Sequence, residues 1–181
     1  MAKHFKLTAE TKINIFGKTL YRIECVIDCK WAKAGDKGGW LEKEDNLSGY
    51  AWVSGNAEVS GDARVSDDAR VSGNARVSGN ARVSGNAWVS GNARVSGNAE
   101  VSDDARVSGN ADYCCLQSFG SCDRTTSVFR QKDGTLRVRC GCFDGNLSEF
   151  AAKVAETHGD NKFGKEYRAM IELIKIRFGL D

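Results

Sequence analysis

The sequence predicts a mainly β protein: a parallel β-helix of about four turns over residues 41–112, an N-terminal β cap over 1–40 and a small C-terminal ββαα domain over 113–181. Three observations predict it. A six-residue unit recurs from Leu47 to Asp112 in eleven clear copies, among them VSGNAE from Val53 and VSDDAR from Val65, with a degenerate twelfth from Leu41 to Asn46. Each unit sets an aliphatic residue (Val53, Val59, Val65) four places before a small one (Ala57, Ala63, Ala69), with Gly-Asn or Asp-Asp between. Every third unit reads LSGYAW, VSDDAR, VSGNAW, VSDDAR, an alternation with a period of 36 residues.

The repeat excludes a helix, because a six-residue spacing smears valine around a 3.6-residue period and Ser-Gly-Asn is poor helix material. Short parallel strands with tight corners remain, valine and alanine pointing inward. The 36-residue alternation sets three units per turn, so each side chain stacks on the one 18 positions ahead at about 4.8 Å. One face then carries Trp52, Arg70, Trp88 and Arg106. A second carries Glu58, Arg76, Arg94 and Asp112, and the third Asn46, Arg64, Arg82 and Glu100. Like charges stack at Arg76/Arg94 and Arg64/Arg82, which is unfavourable unless Glu58, Asp112 and Glu100 answer them. Three valines per turn bury too little to offset the ordering of the backbone, so end caps and further packing are required, and a homo-oligomer is expected.

Ahead of the coils, Ile13 and Ile15, then Gly17-Lys18, then Tyr21, Ile23, Cys25 and Ile27 alternating with Arg22, Glu24 and Asp28 read as a strand pair that caps the open edge. Gly35, Gly38 and Gly39 make the loop that enters the first coil. After the coils, Thr125 to Phe143 reads as a hairpin about the two-residue turn Asp133-Gly134. Pairing across that turn puts Phe129, Leu136, Val138 and Cys140 on one face and Arg130, Lys132, Arg137 and Arg139 on the other. A helix follows from Leu147, capped by Asn146 with Glu149 at its third position and Gly159 after its end; a second runs from about Phe163 to Phe178 with Tyr167, Met170, Ile171, Ile174 and Phe178 inward.

Composition narrows the function classes. Lys plus Arg number 26 against 24 Asp plus Glu, a net +2 that does not argue for a polybasic nucleic-acid or membrane-surface binder. No run approaches 18 apolar residues and MAKHFKLTAE lacks an apolar core, so no membrane span or signal peptide is expected and the cytoplasm is the expected location. Seven cysteines without framework spacing fit a reducing compartment.

The unit resembles that of the hexapeptide-repeat proteins, whose aliphatic residue and small residue four places on build a left-handed parallel β-helix. The left hand and a homotrimer are what this resemblance implies; general strand chirality favours right-handed crossovers. The segments GGWLEKEDNLSG, TTSVF, GCFDGNLSEF and VAETHGDNKFGKEYRAMIELIKIRFG resemble the ends of uncharacterised hexapeptide-repeat proteins of bacteriophage and prophage genomes, a likeness spanning most of the chain. It implies a phage viral protein in the host bacterial cytoplasm and brings no known enzymatic role.

Candidate sites follow. Hexapeptide acyltransferases use a coil-borne His as base, and the similar γ-class carbonic anhydrases bind zinc through His; here His4 and His158 lie outside the coils, and looped insertions for acyl-CoA are missing. No catalytic residue, cofactor or metal site is therefore expected. Cys25 and Cys29, read on one extended strand, would stand about 13 Å apart, too far to share an ion. Cys114, Cys115, Cys122, Cys140 and Cys142 lack zinc-ribbon spacing. Asp67-Asp68 and Asp103-Asp104 suit solvated corners better than calcium. The Trp52, Arg70, Trp88, Arg106 face reads as a structural ladder or subunit interface, with base or nucleotide stacking as the alternative. Six Arg against eight acidic residues between Leu47 and Asp112, a net −2, weigh against a phosphate-tracking groove. Arg130, Lys132, Arg137 and Arg139 form the densest basic patch and are the candidate partner-binding residues. The expected function is a non-enzymatic scaffold binding a host protein through its terminal domain, as a host-defence inhibitor. A nucleotide-sequestering protein, an acyltransferase and a virion component are the alternatives.

Overall fold

The computed structural model describes residues 3–180. The N-terminal segment forms strands β1 (Phe5–Ile13), β2 (Thr19–Cys25) and β3 (Lys37–Leu41). Ten two-residue strands follow: β4 (Trp52–Val53), β5 (Glu58–Val59), β6 (Arg64–Val65), β7 (Arg70–Val71), β8 (Arg76–Val77), β9 (Arg82–Val83), β10 (Trp88–Val89), β11 (Arg94–Val95), β12 (Glu100–Val101) and β13 (Arg106–Val107). The terminal domain adds β14 (Tyr113–Phe119), β15 (Arg124–Arg130), β16 (Leu136–Cys140), β17 (Phe143–Gly145), α1 (Leu147–His158) and α2 (Lys162–Phe178).

The coils are a parallel β-solenoid of about four turns and three faces, as the 36-residue alternation predicts. The faces run β4-β7-β10-β13, β6-β9-β12 and β5-β8-β11. Trp52 pairs with Arg70, Arg70 with Trp88 and Trp88 with Arg106, all parallel. Val53 to Val101 and the alanines between them are wholly buried. The corners from Gly49 to Asp103 have a left-handed backbone, supplied by glycine (Gly79, φ 68°) or by Asp67 (φ 59°) and Asp103 (φ 57°) in the Asp-Asp copies. Asp67 repays the substitution by accepting the Gly85 amide at 3.0 Å.

At the lower end, β1, β2 and β3 form an antiparallel meander whose last strand continues in parallel into β5, pairing Trp40 with Glu58 and Leu41 with Val59. The cap differs from the sequence reading in four ways. β1 begins at Phe5, so Phe5, Ile23 and Cys25 enter the core while Ile13, Ile15 and Ile27 lie exposed beyond or at the ends of the pairing. Gly38 and Gly39 belong to β3, because a side chain at either would strike Ile23 or Val53. His4 is not in a loose end: it is buried, its Nε2 2.9 Å from the Ala51 carbonyl oxygen. β2 stops at Cys25 and the chain turns back, bringing Cys29 beside Cys25; burial first, then Cys29, pushes the Cys25 thiol pKa up.

The terminal domain holds four strands in the order β14-β15-β16-β17, not two. Its hairpin turn is one residue longer than Asp133-Gly134: the Gln131 amide donates to the Thr135 carbonyl at 2.8 Å, and Lys132, Asp133 and Gly134 (φ 85°) make the turn. One residue of register flips a strand. Phe129 therefore pairs with Arg137 and Arg130 with Leu136. Phe129 faces the solenoid and, with Tyr113, closes its core, while Val128, Leu136, Val138 and Cys140 face the helices. The Ser127 hydroxyl accepts the Glu100 amide at 3.0 Å and the Lys132 amide donates to the Asp104 carbonyl at 3.1 Å, so β15 and its turn seal the upper edge. α1 keeps its predicted caps, Asn146 with Glu149 and then Gly159, while α2 starts at Lys162 behind Asn161, whose side chain accepts the Gly164 amide, and ends at Gly179.

Candidate functional site

The face predicted as Trp52, Arg70, Trp88 and Arg106 forms, with one exchange. Trp52 is 2% exposed beneath His4 and Phe5 and is withdrawn from the surface. Its place is taken by Trp31 from the loop before β3. The Arg70 guanidinium lies 5.4 Å from the Trp31 ring and 5.3 Å from Trp88, with Arg106 5.7 Å from Trp88 on the other side. Lys30 lies 4.7 Å from Trp31 and 3.8 Å from the Asp68 carboxylate. The Trp88 indole donates to the Ser72 hydroxyl at 2.9 Å, and Arg106 donates to the Asn86 carbonyl at 3.0 Å. Trp88 is 39% exposed, so the ladder presents an aromatic and guanidinium surface, although the buried Trp31 indole nitrogen and Arg70 Nε have no hydrogen-bond partner.

On the other faces the expected answers are partial. Glu58 sits between Lys12 at 2.8 Å and Arg76 at 3.5 Å, and Glu100 lies 3.8 Å from Arg82. Asp112 turns away to Ser108 and to Arg130 at 3.8 Å. Burial works against its carboxylate, but the Ser108 hydroxyl and amide and the Gly109 amide outweigh it and hold the pKa below the usual range. Among the described residues Arg64 and Arg94 have no carboxylate within 4.0 Å.

The four tail cations do not share one face, a consequence of the shifted register. Arg137 and Arg139 lie on the solenoid side. Arg137 meets Asp144 at 2.6 Å, which raises the guanidinium pKa, and Arg139 lies 3.5 Å from the same carboxylate and donates to the Ser102 hydroxyl at 2.8 Å. Arg130 is on the helix side, 5.5 Å from the Phe178 ring. Lys132 is exposed at the turn. The first three are tied to their own chain, leaving Lys132 as the cation without an ion-pair partner among the described residues.

Two surface features of the terminal domain escaped the sequence reading. A cleft of about 230 Å3 between β14 and α2 is lined by Leu116, Phe119, Ala169, Met170 and Leu173, with Glu166 at its edge. Leu173, in its wall, is exposed, as are Ile176 further along α2 and Leu180 just past the helix end. The signal existed: Ala169, Leu173, Ile176 and Leu180 follow helical spacing beside the stripe that faces the core. A second cavity, of about 460 Å3, gathers Arg124, the Cys142 turn, the C-terminal half of α1 and Tyr167. There the Ser121 hydroxyl lies 3.4 Å from His158 Nε2, and burial first, then Cys140, pushes the Tyr167 phenol pKa up. No cluster of three or more His, Cys, Asp or Glu with metal-binding geometry occurs among the described residues. Nor is any helix among them long and apolar enough to cross a membrane.

Residues 57–73, 63–78, 75–91 and 87–102 each match the family model described as YdcK Beta solenoid repeat. All four matches lie inside the coils. Together with the modular strand pairing, they make this a β-solenoid repeat protein. No curated protein matches the chain.

Proposed function

We propose that the protein is a non-enzymatic, self-associating β-solenoid scaffold that binds a protein partner through its C-terminal domain. The cleft between β14 and α2 carries the reading. Leu173 in its wall and Ile176 further along α2 are both exposed, and exposed apolar side chains beside a cleft of this kind serve to receive a partner's apolar anchors. The occupant is an amphipathic helix of the partner, which fits an elongated groove walled by a helix and an edge strand. The valine and alanine interior offers no polar group for chemistry, which supports binding over catalysis. The resemblance of the chain's ends to phage and prophage proteins supports a host protein as the partner, with inhibition of host defence as the outcome. The same repeat resemblance supports a trimer.

The test is co-purification from host lysate with Leu173→Asp/Ile176→Asp beside Ile13→Asp, which alters an exposed apolar residue at the other end of the molecule. The reading expects the partner to be lost with the first variant and kept with the second, at unchanged oligomer mass. A partner retained by the α2 variant refutes it. Light scattering showing only the 19.7 kDa monomer at micromolar concentration refutes the self-association.

The cation–π ladder favours a second reading, in which Trp31, Arg70, Trp88 and Arg106 stack a nucleotide or nucleic-acid base. Tryptophan fluorescence unchanged by nucleotides removes it.

A further inference from the structure

We propose that the 460 Å3 cavity of the terminal domain binds a small organic anion: a phosphate or carboxylate group carried on an apolar, ring-sized body. It shares no lining residue with the β14/α2 cleft, so the inference is independent of the partner reading.

The cavity is two-sided in chemistry. Phe143, Phe150, Val154 and Tyr167 form an apolar wall, with Phe143 and Phe150 centroids 5.1 Å apart and Tyr167 edge-on to Phe150 at 5.7 Å. The polar side is Arg124, Lys153, Ser121, Thr157 and His158. The charges there do not cancel. Asp144, the one carboxylate in the lining, is already held by Arg137 at 2.6 Å and Arg139 at 3.5 Å. Lys153 meets Glu156 at 2.9 Å, but Arg124 has no carboxylate within 4.0 Å among the described residues. An uncompensated guanidinium beside an aromatic wall matches an oxyanion on a ring, since its planar fork pairs two oxygens while the wall covers the body.

The position of Arg124 is built into the backbone. Gly141 (φ 61°) turns the chain between β16 and β17, and any side chain there would collide with the Arg124 guanidinium. On the other flank, Ser118 (φ 64°), Gly120 (φ 74°), Cys122 (φ 68°) and Asp123 (φ 48°) adopt left-handed conformations within six residues. Three of these are not glycine, and strain concentrated in this way is kept where surroundings enforce a ligand-shaped geometry. Tyr167 is 4% exposed, and its hydroxyl is met by the Cys140 sulfur at 4.0 Å and by the Ser121 side chain, which places the phenol beside the polar side of the cavity. The volume lies within the range of about 300–1,000 Å3 usual for small-molecule sites.

Titration of the 15N-labelled full chain with phenyl phosphate, inorganic phosphate and phenol separates the parts. Phenyl phosphate is expected to shift amides of β15, the Gly141 turn and α1 saturably, with each fragment alone binding at least about ten-fold more weakly. Arg124→Gln should weaken phenyl phosphate at least about ten-fold, the weight of one charge-assisted hydrogen bond. Leu173→Asp should leave it unchanged. No saturable shift by about 10 mM, an Arg124→Gln chain that binds as wild type, or inorganic phosphate binding as tightly as the ester overturns the proposal. Should Arg124→Gln not fold, Lys153→Gln and alkylation of Cys142, which is exposed and lines the cavity, supply the same decision. Phenyl phosphate must slow Cys142 labelling by iodoacetamide; an unchanged rate overturns the proposal.

Discussion

Alanine at Gly55, Gly79 and Gly91 separates the two demands that the solenoid places on its corners. The three have nearly the same backbone conformation, φ 65°, 68° and 59°, so each substitution carries the same left-handed penalty of about 1–2 kcal/mol. A stiffer unfolded chain offsets about 0.4–1 kcal/mol of that in every case. What differs is the coil above. A Cβ on Gly55 would stand 3.3 Å from the Gly73 oxygen, and one on Gly79 2.9 Å from the Gly97 nitrogen; one on Gly91 would overlap the Ser108 carbonyl oxygen. Gly55→Ala should then lose about 1 kcal/mol, and Gly91→Ala a further ~1–3 kcal/mol as the last turn is forced aside, with Gly79→Ala between them. At about 2–4 °C per kcal/mol for a chain of this size, the midpoints should separate clearly. Thermal unfolding followed by tryptophan fluorescence is the assay, because Trp31, Trp40, Trp52 and Trp88 all lie in the cap and coils. Gly79→Asp should cost no more than Gly79→Ala, since Asp67 and Asp103 occupy this corner position natively. Equal losses at Gly55 and Gly91, or a larger loss for aspartate than for alanine, would refute the reasoning.

Two further predictions concern the ends of the solenoid. The Gly61 amide, 2.7 Å from the Glu42 carboxylate, and then Lys18 hold the Glu42 pKa below its ordinary value. Its contribution is complete above the unfolded glutamate pKa of about 4.3 and is lost as pH falls through the folded value. The urea midpoint of wild type should therefore exceed that of Glu42→Gln at neutral pH, and the gap should close in acid; a gap that persists or widens contradicts the assignment. Phe129, fully buried at the junction of coil and terminal domain, should lose about 3–5 kcal/mol on replacement by alanine, read from urea unfolding, and a loss below about 1 kcal/mol would show that it does not plug the core.

The coils were legible because each unit repeats the same local instruction and the Trp/Arg alternation reports the number of units per turn independently. The helices were legible because Asn146, Glu149 and Gly159 mark their ends by backbone chemistry. The rest depended on partners that no local pattern displays. A hairpin turn of three residues rather than two transferred Phe129 to the solenoid side and dispersed four arginines and lysines that alternation had placed together. β14 was missed because Tyr113 to Phe119 has neither clean alternation nor a turn signal of its own, and β17 because three residues carry no period. Trp31 enters the ladder from an aperiodic loop, so Trp52 took its place in the sequence reading. The small-ligand cavity draws Arg124, Cys142, His158 and Tyr167 from four separate segments, and that convergence exists only in three dimensions.

Three six-residue units close each turn of the solenoid, and every face depends on it. Cysteines placed at Arg64 and Arg82, exposed and paired in register on neighbouring strands, test it most directly. Mild oxidation followed by peptide mapping should find a 64–82 disulfide, as strands about 4.8 Å apart allow. Cysteines at Arg64 and Arg76, on different faces, should stay unlinked. A 64–76 bridge in the absence of a 64–82 bridge would contradict the winding.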